Sequence, residues 1–322
     1  MAVSTSRERS EEGVREGAPA AARSSVFSDA LSIARYHIVL IAMTASLVFG
    51  WLTTGRYGFG LALVVGLDWF LINLFNKVTD VEEDLENGIP GTERVAKWKR
   101  LLAPGCFALL FASFASHFPF PAITPLRVIV QLIGLAYSYR LVPTPSGMKR
   151  IKQLYFFKNF GSAFLFVLTC LAYPLAVARW APIVPWAYVA ALALFFVPFE
   201  VSYEILYDFR DLPGDRREGI PTFPVVHGPV IARRLIDALL ALSLAVIVLA
   251  VLSGTFGVRE LLFSFAPIAQ WFFYRPRLSR GLTSSDCIAL THLGSAQLVF
   301  FLVGTRAWLA LGLPDNVFVP WA

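Results

Sequence analysis

Two stretches of the chain repeat one pattern of carboxylates. Residues Asp80–Pro90 and Asp211–Pro221 both read D-x-x-x-D-x-x-x-G-I-P, at an offset of 131 residues. The chain around them is 57% hydrophobic and only 16% charged, so two acidic clusters with the same spacing need a chemical explanation. Carboxylate oxygens are typical ligands of hard divalent cations, which makes a metal site the first hypothesis.

Each cluster also has helical spacing. The two sets of predicted metal ligands are Asn76, Asp80 and Asp84, and Asp208, Asp211 and Asp215. Intervals of three and four residues place such side chains on one helix face, about 6 Å apart. Mg²⁺ takes one or two carboxylates from a protein and completes its shell with water and phosphate oxygens, so two facing clusters predict a bound diphosphate. A solvated, acidic helix end is the plainer alternative, although its repetition at the same spacing argues against it.

The composition indicates where these clusters lie. Mean hydropathy is +0.63, and apolar runs near 20 residues long are typical of membrane-spanning helices. We predict an all-α membrane protein of nine transmembrane helices, arranged as two four-helix repeats plus one around a central cavity. The predicted spans are about 33–52, 57–76, 101–118, 122–138, 154–176, 184–206, 236–253, 259–274 and 288–311.

The basic residues orient these spans. With the N-terminus inside, 23 of the 28 Lys and Arg residues fall on inner segments, as the positive-inside rule requires. Both acidic clusters then face the cytoplasm, because four helices separate them. The net charge of +6 belongs to this topology and to anionic membrane lipids, and no nucleic-acid motif is present. We expect a multi-pass protein of a bacterial inner membrane.

The first residues differ from the rest of the chain. Residues 1–28 are polar and contain no apolar core of a signal peptide, which predicts a disordered cytosolic tail. Residues 29–322 form the predicted transmembrane domain.

Several motifs together resemble the UbiA superfamily of intramembrane prenyltransferases. Asn76–Asp84 is similar to its N-D-x-x-D-x-x-x-D motif, and Asp208–Arg216 is similar to its second motif, D-x-x-D-x-x-G-D-R. Thr222–Gly228 matches the T-x-P-V-x-x-G tail. Shorter elements also match: Tyr137-Ser138, Lys149-Arg150, Lys158-Asn159 and Arg35. Lys77 departs from the first motif by replacing an Asp, and the R-P pair usual downstream is missing.

The resemblance implies Mg²⁺-dependent transfer of a prenyl group from its diphosphate to a small acceptor, which we expect to be aromatic. Cations must then stabilise the leaving diphosphate. We expect catalytic roles for Lys149 and Lys158. The expected diphosphate-binding residues are Arg35, Lys77, Arg94, Lys149, Arg150, Lys158 and Arg216. Plain positive-inside topology is the alternative for these basic residues.

An allylic cation needs a dry aromatic wall. Tyr137 and Tyr155 are the predicted cavity aromatics. Asp68 lies inside the second predicted span, where a carboxylate is costly and often functional. It is either a base or acceptor contact, or one partner of an interhelical hydrogen bond.

Two alternative functions remain at this stage. A UbiA-like terpene cyclase would ionise the same diphosphate without an acceptor. A transporter or lipid-binding protein would carry acids at midplane depth and broken helices, whereas the acidic motifs here lie at helix ends.

Overall fold

The computed structural model describes residues 26–314. Of the predicted tail, residues 1–25 lie outside the described residues, and residues 26–28 begin the first helix. The helices are α1 (Val26–Ala34), α2 (Tyr36–Thr54), α3 (Phe59–Thr79), α4 (Val81–Glu86), α5 (Thr92–Ser113), α6 (Thr124–Ser138), α7 (Phe157–Val167), α8 (Tyr173–Val177), α9 (Trp186–Glu218), α10 (Phe223–Leu252), α11 (Phe265–Leu278) and α12 (Ser284–Ala310).

The remaining regular structure is short. A two-stranded antiparallel hairpin joins β1 (Val142–Thr144) to β2 (Gly147–Lys149). A π-helical turn, Leu168–Ala172, connects α7 to α8. Short 3₁₀ turns precede α6, α7 and α11.

Eight helical segments within the described residues are long and apolar enough to cross a membrane. They correspond to eight of the nine predicted spans, which confirms a polytopic helical architecture. The ninth predicted region, 259–274, forms the 3₁₀ turn Val258–Ser264 followed by α11. A helix of 14 residues is about 21 Å long, short of a bilayer core of about 30 Å. The count of nine and the arrangement in two repeats therefore stay predictions.

Residues that stop helices fix the ends of the long segments. Gly55 takes a left-handed conformation after α2 and donates its N–H to Trp51 O at 2.7 Å, as glycine does at helix C-termini. Thr283 caps α12 reciprocally with Asp286. Inside α10, Gly228 has φ 78° and ψ 164° and is followed by Pro229, which kinks this helix near the end that faces the acidic segments.

Close helix packing replaces the hydrophobic effect as the cohesive force where lipid surrounds the chain. Gly294 of α12 illustrates it. A Cβ at this position would lie 2.7 Å from Ile41 Cδ1 and 2.9 Å from the Tyr203 hydroxyl, so only glycine lets α12 approach α2 and α9 this closely. The largest buried cluster includes apolar side chains of α2, α3 and α9, among them Trp51, Trp69 and Phe196.

Asp68 lies in an interhelical ion pair. Its carboxylate accepts hydrogen bonds from Arg127 Nε at 2.8 Å, Gln131 Nε2 at 2.7 Å and the Tyr173 hydroxyl at 3.1 Å. Arg127 also donates to Ser113 O at 2.6 Å. These contacts join α3 to α5, α6 and α8. They correspond to the second alternative for Asp68, one partner of an interhelical hydrogen bond. Asp68 does not line the cavity described below.

We expect Asp68→Asn to destabilise the protein strongly, because Arg127 keeps a fully buried charge without its counter-ion. The loss of one partner of a buried pair typically costs about 3–5 kcal/mol. The midpoint of thermal unfolding in detergent, followed by tryptophan fluorescence, measures it. Glu86→Gln is the control, since its pair with Arg217 is largely exposed and contributes little. Equal midpoints for the two variants would contradict the assignment.

Candidate active site

The first acidic segment spans the junction between α3 and α4. Asp80 ends α3 with φ −100° and ψ 27°, so the segment is two helices and not one continuous helix. The helical hydrogen bonds continue across the break, from Asp80 N to Asn76 O at 2.9 Å and from Asp84 N to Asp80 O at 2.8 Å. The predicted spacing of the three side chains therefore survives a backbone break that the sequence did not indicate.

The second acidic segment is the last three turns of α9. Asp208, Asp211 and Asp215 lie on a continuous helix that ends at Glu218. Gly219 then takes φ 64°, and the chain turns away. This segment therefore carries its three carboxylates on one helix, with Pro213 between Asp211 and Asp215.

The repeated G-I-P tripeptide terminates both helices in the same way. Ile89 N donates to Asp84 O at 2.9 Å, and Ile220 N donates to Asp215 O at 2.8 Å. The glycine before each isoleucine donates its N–H to the carbonyl of the residue that follows the aspartate. This is the Schellman pattern, with the glycine in the left-handed region and the proline as a stop. The repeat thus contains both the candidate metal ligands and the helix end. It places Asp84 four residues before Gly88, and Asp215 four residues before Gly219.

The two segments contact each other directly. Asn87 Oδ1, just after α4, accepts a hydrogen bond from Gly214 N of α9 at 2.9 Å. Glu86 pairs with Arg217 beside this contact. The structure therefore brings the two predicted ligand sets together, as the hypothesis of facing clusters requires.

Buried cations neutralise the first segment. Arg150 Nη1 lies 2.8 Å from Asp80 Oδ1, and Lys152 Nζ lies 2.7 Å from Asp80 Oδ2. Lys152 also pairs with Glu83, and burial raises the pKa of Glu83 although this ammonium opposes the shift. Lys77 Nζ lies 2.8 Å from Asp84 Oδ2, with both side chains buried.

Lys158 neutralises the second segment. Its Nζ lies 2.9 Å from Asp208 Oδ1 and 3.0 Å from Asp215 Oδ2, so one ammonium joins two carboxylates two helical turns apart. Asn159 Nδ2 donates to the other oxygen of Asp208 at 2.8 Å. Arg210 makes a bidentate contact with its neighbour Asp211, at 2.7 and 2.6 Å.

The segment between β2 and α7 delivers these cations. The hairpin is followed by a 3₁₀ turn, Ile151–Gln153, in which Arg150 N donates to Gln153 Oε1 at 3.1 Å. Phe156 then takes φ 76°, an unfavourable conformation for a residue with a side chain, and its ring stacks on Phe160 at 3.8 Å. This turn directs Lys152 to the first acidic segment and Lys158 to the second.

The oxygen atoms of the two segments fit a hard cation. Asn76 Oδ1 is buried and accepts no hydrogen bond within residues 26–314, whereas Asp84 Oδ2 and Asp208 Oδ1 are paired with lysine ammonium groups. No three carboxylate, histidine or cysteine side chains of the described chain form a metal-binding cluster by themselves. Amide and carboxylate oxygens are the ligands that Mg²⁺ prefers, and it takes only one or two carboxylates from a protein.

A cavity in the helix bundle is lined by Asn76 of the first acidic segment, whereas the five predicted aspartate ligands lie outside its lining. It encloses about 100 Å³ and continues, through the shared residues Ile41, Phe166 and Glu200, into a narrower apolar cavity of about 30 Å³. The polar or aromatic residues lining the first cavity are Arg35, Trp69, Asn73, Asn76, Tyr137, Ser162, Phe166, Glu200, Tyr203, Glu204, Tyr207 and Thr291. Phenylalanines 49, 195, 196, 199 and 263 surround the second.

The other predicted site residues are distributed unevenly. Tyr137 and Arg35 line the cavity, and Arg35 Nη1 donates to Asn73 Oδ1 at 3.4 Å. Tyr155 is exposed, outside the cavity lining, and hydrogen-bonds to His227 Nε2 at 2.5 Å. Arg94 pairs with Asp29 of α1 and makes no ion pair with either acidic segment among the described residues.

Lys149 and Arg216 also lie apart from the ion pairs. Lys149 is a half-buried residue at the end of β2, and Arg216 is exposed on α9. Neither makes a salt bridge to a predicted metal ligand within the described part of the chain. Their proposed roles are thus less well supported by the geometry than that of Lys158.

Sequence reasoning missed three important side chains. Lys152 was counted only as a topological charge, although it is 1% exposed. Glu200 and Glu204 line the cavity, and their spacing of four residues from each other and from Asp208 continues the acidic face of α9 inward. This four-residue periodicity could have identified Glu200 and Glu204 from the sequence. It also shows that not all acids of the chain lie at helix ends.

The fold and the site together define a polytopic helical membrane protein with a charged cleft above an aromatic cavity. The sequence model of the UbiA prenyltransferase family matches residues 37–304. The chain therefore belongs to the UbiA prenyltransferase family. No curated protein matches it in sequence.

Solved structures support the same fold. A UbiA homolog from Archaeoglobus fulgidus bound to GPP and Mg²⁺ has a TM-score of 0.64 at 16% identity, over 87% of this chain and 100% of that chain. The same homolog bound to DMAPP and Mg²⁺ gives 0.61 at 16% identity, over 87% and 99%. A structure from work on digeranylgeranylglyceryl phosphate synthase in membranes gives 0.55 at 17% identity, over 87% and 99%.

The contact between Gly214 and Asn87 makes a test of the facing segments. A Cβ on Gly214 would lie 2.6 Å from Asn87 Nδ2, so we expect Gly214→Ala to displace α4 from α9. Cysteines at positions 86 and 217 should be cross-linked by a short bismaleimide in the parent and several-fold more slowly in the Gly214→Ala background. Gly105→Ala is the control, because no atom lies within 4 Å of its added Cβ. Unchanged cross-linking in Gly214→Ala would argue against this contact.

Proposed function

We propose that this protein catalyses Mg²⁺-dependent transfer of a prenyl group from a prenyl diphosphate to a small aromatic acceptor, with release of diphosphate. One observation carries the proposal: two acidic segments, each paired with buried cations, contact each other, and Asn76 of the first segment lines an aromatic cavity. Membership of the UbiA prenyltransferase family supports it. The neighbouring structures with GPP or DMAPP and Mg²⁺ support the choice of donor and metal.

The proposed metal ligands are the oxygens of Asn76, Asp80, Asp84, Asp208, Asp211 and Asp215. When bound, Mg²⁺ would neutralise the diphosphate and assist its departure as a Lewis acid. Both carboxylates of the first segment are paired with cations of the protein, Asp84 with Lys77 and Asp80 with Arg150 and Lys152, so metal binding there would compete with these pairs.

Lys158 is the proposed key cation of the protein itself. Its ammonium is held by Asp208 and Asp215, so it is oriented before the substrate arrives. A fixed donor of this kind stabilises charge that develops on the leaving group without reorganisation during the reaction. Lys152 and Arg150 would supply the corresponding charge on the opposite segment. Arg35, which lines the cavity, would bind the diphosphate. Lys149, Arg94 and Arg216 would add positive electrostatic potential from farther away.

The aromatic cavity would receive the prenyl chain and the allylic cation. The Trp69 and Phe166 rings lie with centroids 4.1 Å apart, and Phe166 and Phe196 follow at 6.0 Å. Aromatic faces stabilise a cation by about 0.5–2 kcal/mol each when water is excluded. Tyr137 completes this wall at the cavity, and a flat acceptor ring would fit between such side chains.

The acceptor requirement is best tested with purified protein. Prenyl diphosphates of several lengths are incubated with and without pooled aromatic acceptors, and diphosphate release and products are followed by mass spectrometry. Release only with an acceptor supports the transferase. Release without an acceptor would indicate a cyclase or hydrolase. If no diphosphate is released with or without Mg²⁺, the result would favour a transporter or lipid-binding protein.

We expect Lys158→Met to lower kcat by about 10²–10³-fold, the usual cost of removing one preorganised group that stabilises developing charge. Lys158→Arg should retain part of the activity because the charge remains. Lys99→Met is the matched control, since Lys99 is exposed on α5. Single-turnover diphosphate release measures the rates, and thermal unfolding of each variant checks that it is folded. A folded Lys158→Met enzyme with the parent rate would remove Lys158 from the mechanism.

We further expect EDTA to abolish turnover and Mg²⁺ to restore it. Asp80→Asn should need a higher Mg²⁺ concentration for half-maximal rate, because second-segment ligands alone bind the ion less tightly. A titration of rate against Mg²⁺ gives the shift, and Glu82→Gln, an exposed neighbour, is the control. Activity of Asp80→Ala at the parent rate and the parent Mg²⁺ concentration would refute the metal assignment.

A further inference from the structure

Glu200 is a buried carboxyl group without a partner. It is 6% exposed and makes no hydrogen bond or ion pair with any residue in the range 26–314. Its remaining exposure is to the two cavities, because it lines both. A carboxyl group placed at this depth in a membrane protein is costly, and it is tolerated where it serves a ligand.

The depth of Glu200 separates it from the diphosphate. It precedes Asp208 by eight residues on the same helix, which corresponds to about 12 Å along the axis. A group this far from the leaving diphosphate cannot bind the metal ions or contact the carbon that loses the diphosphate. Glu204, one turn nearer, accepts a hydrogen bond from Ser162 Oγ at 2.8 Å on one oxygen and leaves the other for a ligand.

The free polar groups of this cavity include the carboxyl group of Glu200 and the Tyr137 hydroxyl, whereas other hydroxyl donors of the lining are already used. Tyr203 donates its hydroxyl proton to Leu290 O at 3.0 Å, and Tyr207 contacts Cys287 O and Thr291. Their donor capacity is therefore used by the protein. Asn76 Oδ1 is a further unpartnered acceptor. Arg35 is the cationic donor of the lining, and it lies at the junction of α1 and α2, near the mouth.

From these contacts we infer that Glu200 recognises a hydrogen-bond donor, a phenolic hydroxyl or an amine, on the acceptor molecule. This inference rests on the proposed prenyl transfer and names the class of acceptor. The donor group lies at the inner end of the acceptor ring, and the atom that receives the prenyl group points toward the diphosphate. Trp69, Phe166 and Tyr137 provide the ring contacts between the two ends.

The same geometry disfavours an acceptor with an acid group at its inner end. A carboxylate or phosphate there would either meet Glu200 and Glu204 as like charges or require the capture of protons, and both cost free energy. A carboxyl group accepts hydrogen bonds in both protonation states, so recognition of a donor does not depend on its ionisation.

The test compares hydroquinone with 1,4-dimethoxybenzene, in which methyl ethers replace both hydroxyl donors. Binding of each to the purified full chain, without prenyl diphosphate, is measured by calorimetry. We expect hydroquinone to bind at least about 10-fold more tightly, the worth of one hydrogen bond to a charged or strongly polar group. Glu200→Met should remove this preference by weakening hydroquinone, and Glu200→Gln, which keeps an acceptor oxygen, should retain part of it.

Asp237→Asn serves as the control, because Asp237 pairs with Arg275 and Tyr274 away from the cavity. Equal or tighter binding of 1,4-dimethoxybenzene, or unchanged hydroquinone binding in Glu200→Met, would overturn the inference. A second arm measures prenylated product with both acceptors. If product forms and Glu200 substitution has no effect, the proposed prenyl transfer stands and Glu200 has no role in acceptor recognition. If binding depends on Glu200 but no product forms, Glu200 recognises the ligand and the proposed prenyl transfer is wrong.

Discussion

The pairing of buried carboxylates with ammonium groups is the interaction on which the site depends. Lys158 between Asp208 and Asp215, and Lys152 with Arg150 on Asp80, place opposite charges in a largely buried cleft. Either partner alone would carry a desolvation cost of several kcal/mol. The pairs therefore fix the turn between β2 and α7 against two helices that are distant in sequence, and they leave cations facing the place where anionic phosphates would bind.

The two acidic segments are similar in their ends and different in their chemistry. Both finish in the same Schellman turn, so the glycine and isoleucine of the repeat are explained by helix termination. The first segment has Lys77 against Asp84, whereas the second holds its outer aspartate with a lysine from α7. An internal ammonium thus satisfies part of the first segment permanently. The second segment has three carboxylates on one continuous helix, and Lys158 and Arg210 pair with them.

The sequence predicted the parts of this molecule that depend on periodicity. Hydropathy located eight of the nine expected spans as helices, and helical spacing grouped the two carboxylate sets that the fold brings together. Contacts between distant elements were not predictable in this way. Nothing in the sequence distinguished Lys152 from a topological charge, or showed that Arg94 would pair with Asp29. The depth of Glu200 was readable from its spacing to Asp208, but its lack of a partner depends on how the surrounding helices pack.

Polarity changes along the cavity in an order that suits its proposed use. The first cavity has Arg35 and Asn76 in its lining together with aromatic rings and the acids of α9, and the second is bounded mainly by phenylalanines. A diphosphate would be stable only near the charged groups, because burying its charge among apolar side chains costs free energy. An isoprenoid chain would be favoured in the apolar part of the cavity. One molecule that carries both groups is therefore oriented by the cavity alone. The acids of α9 interrupt the apolar wall where a second, polar molecule would have to lie beside the first.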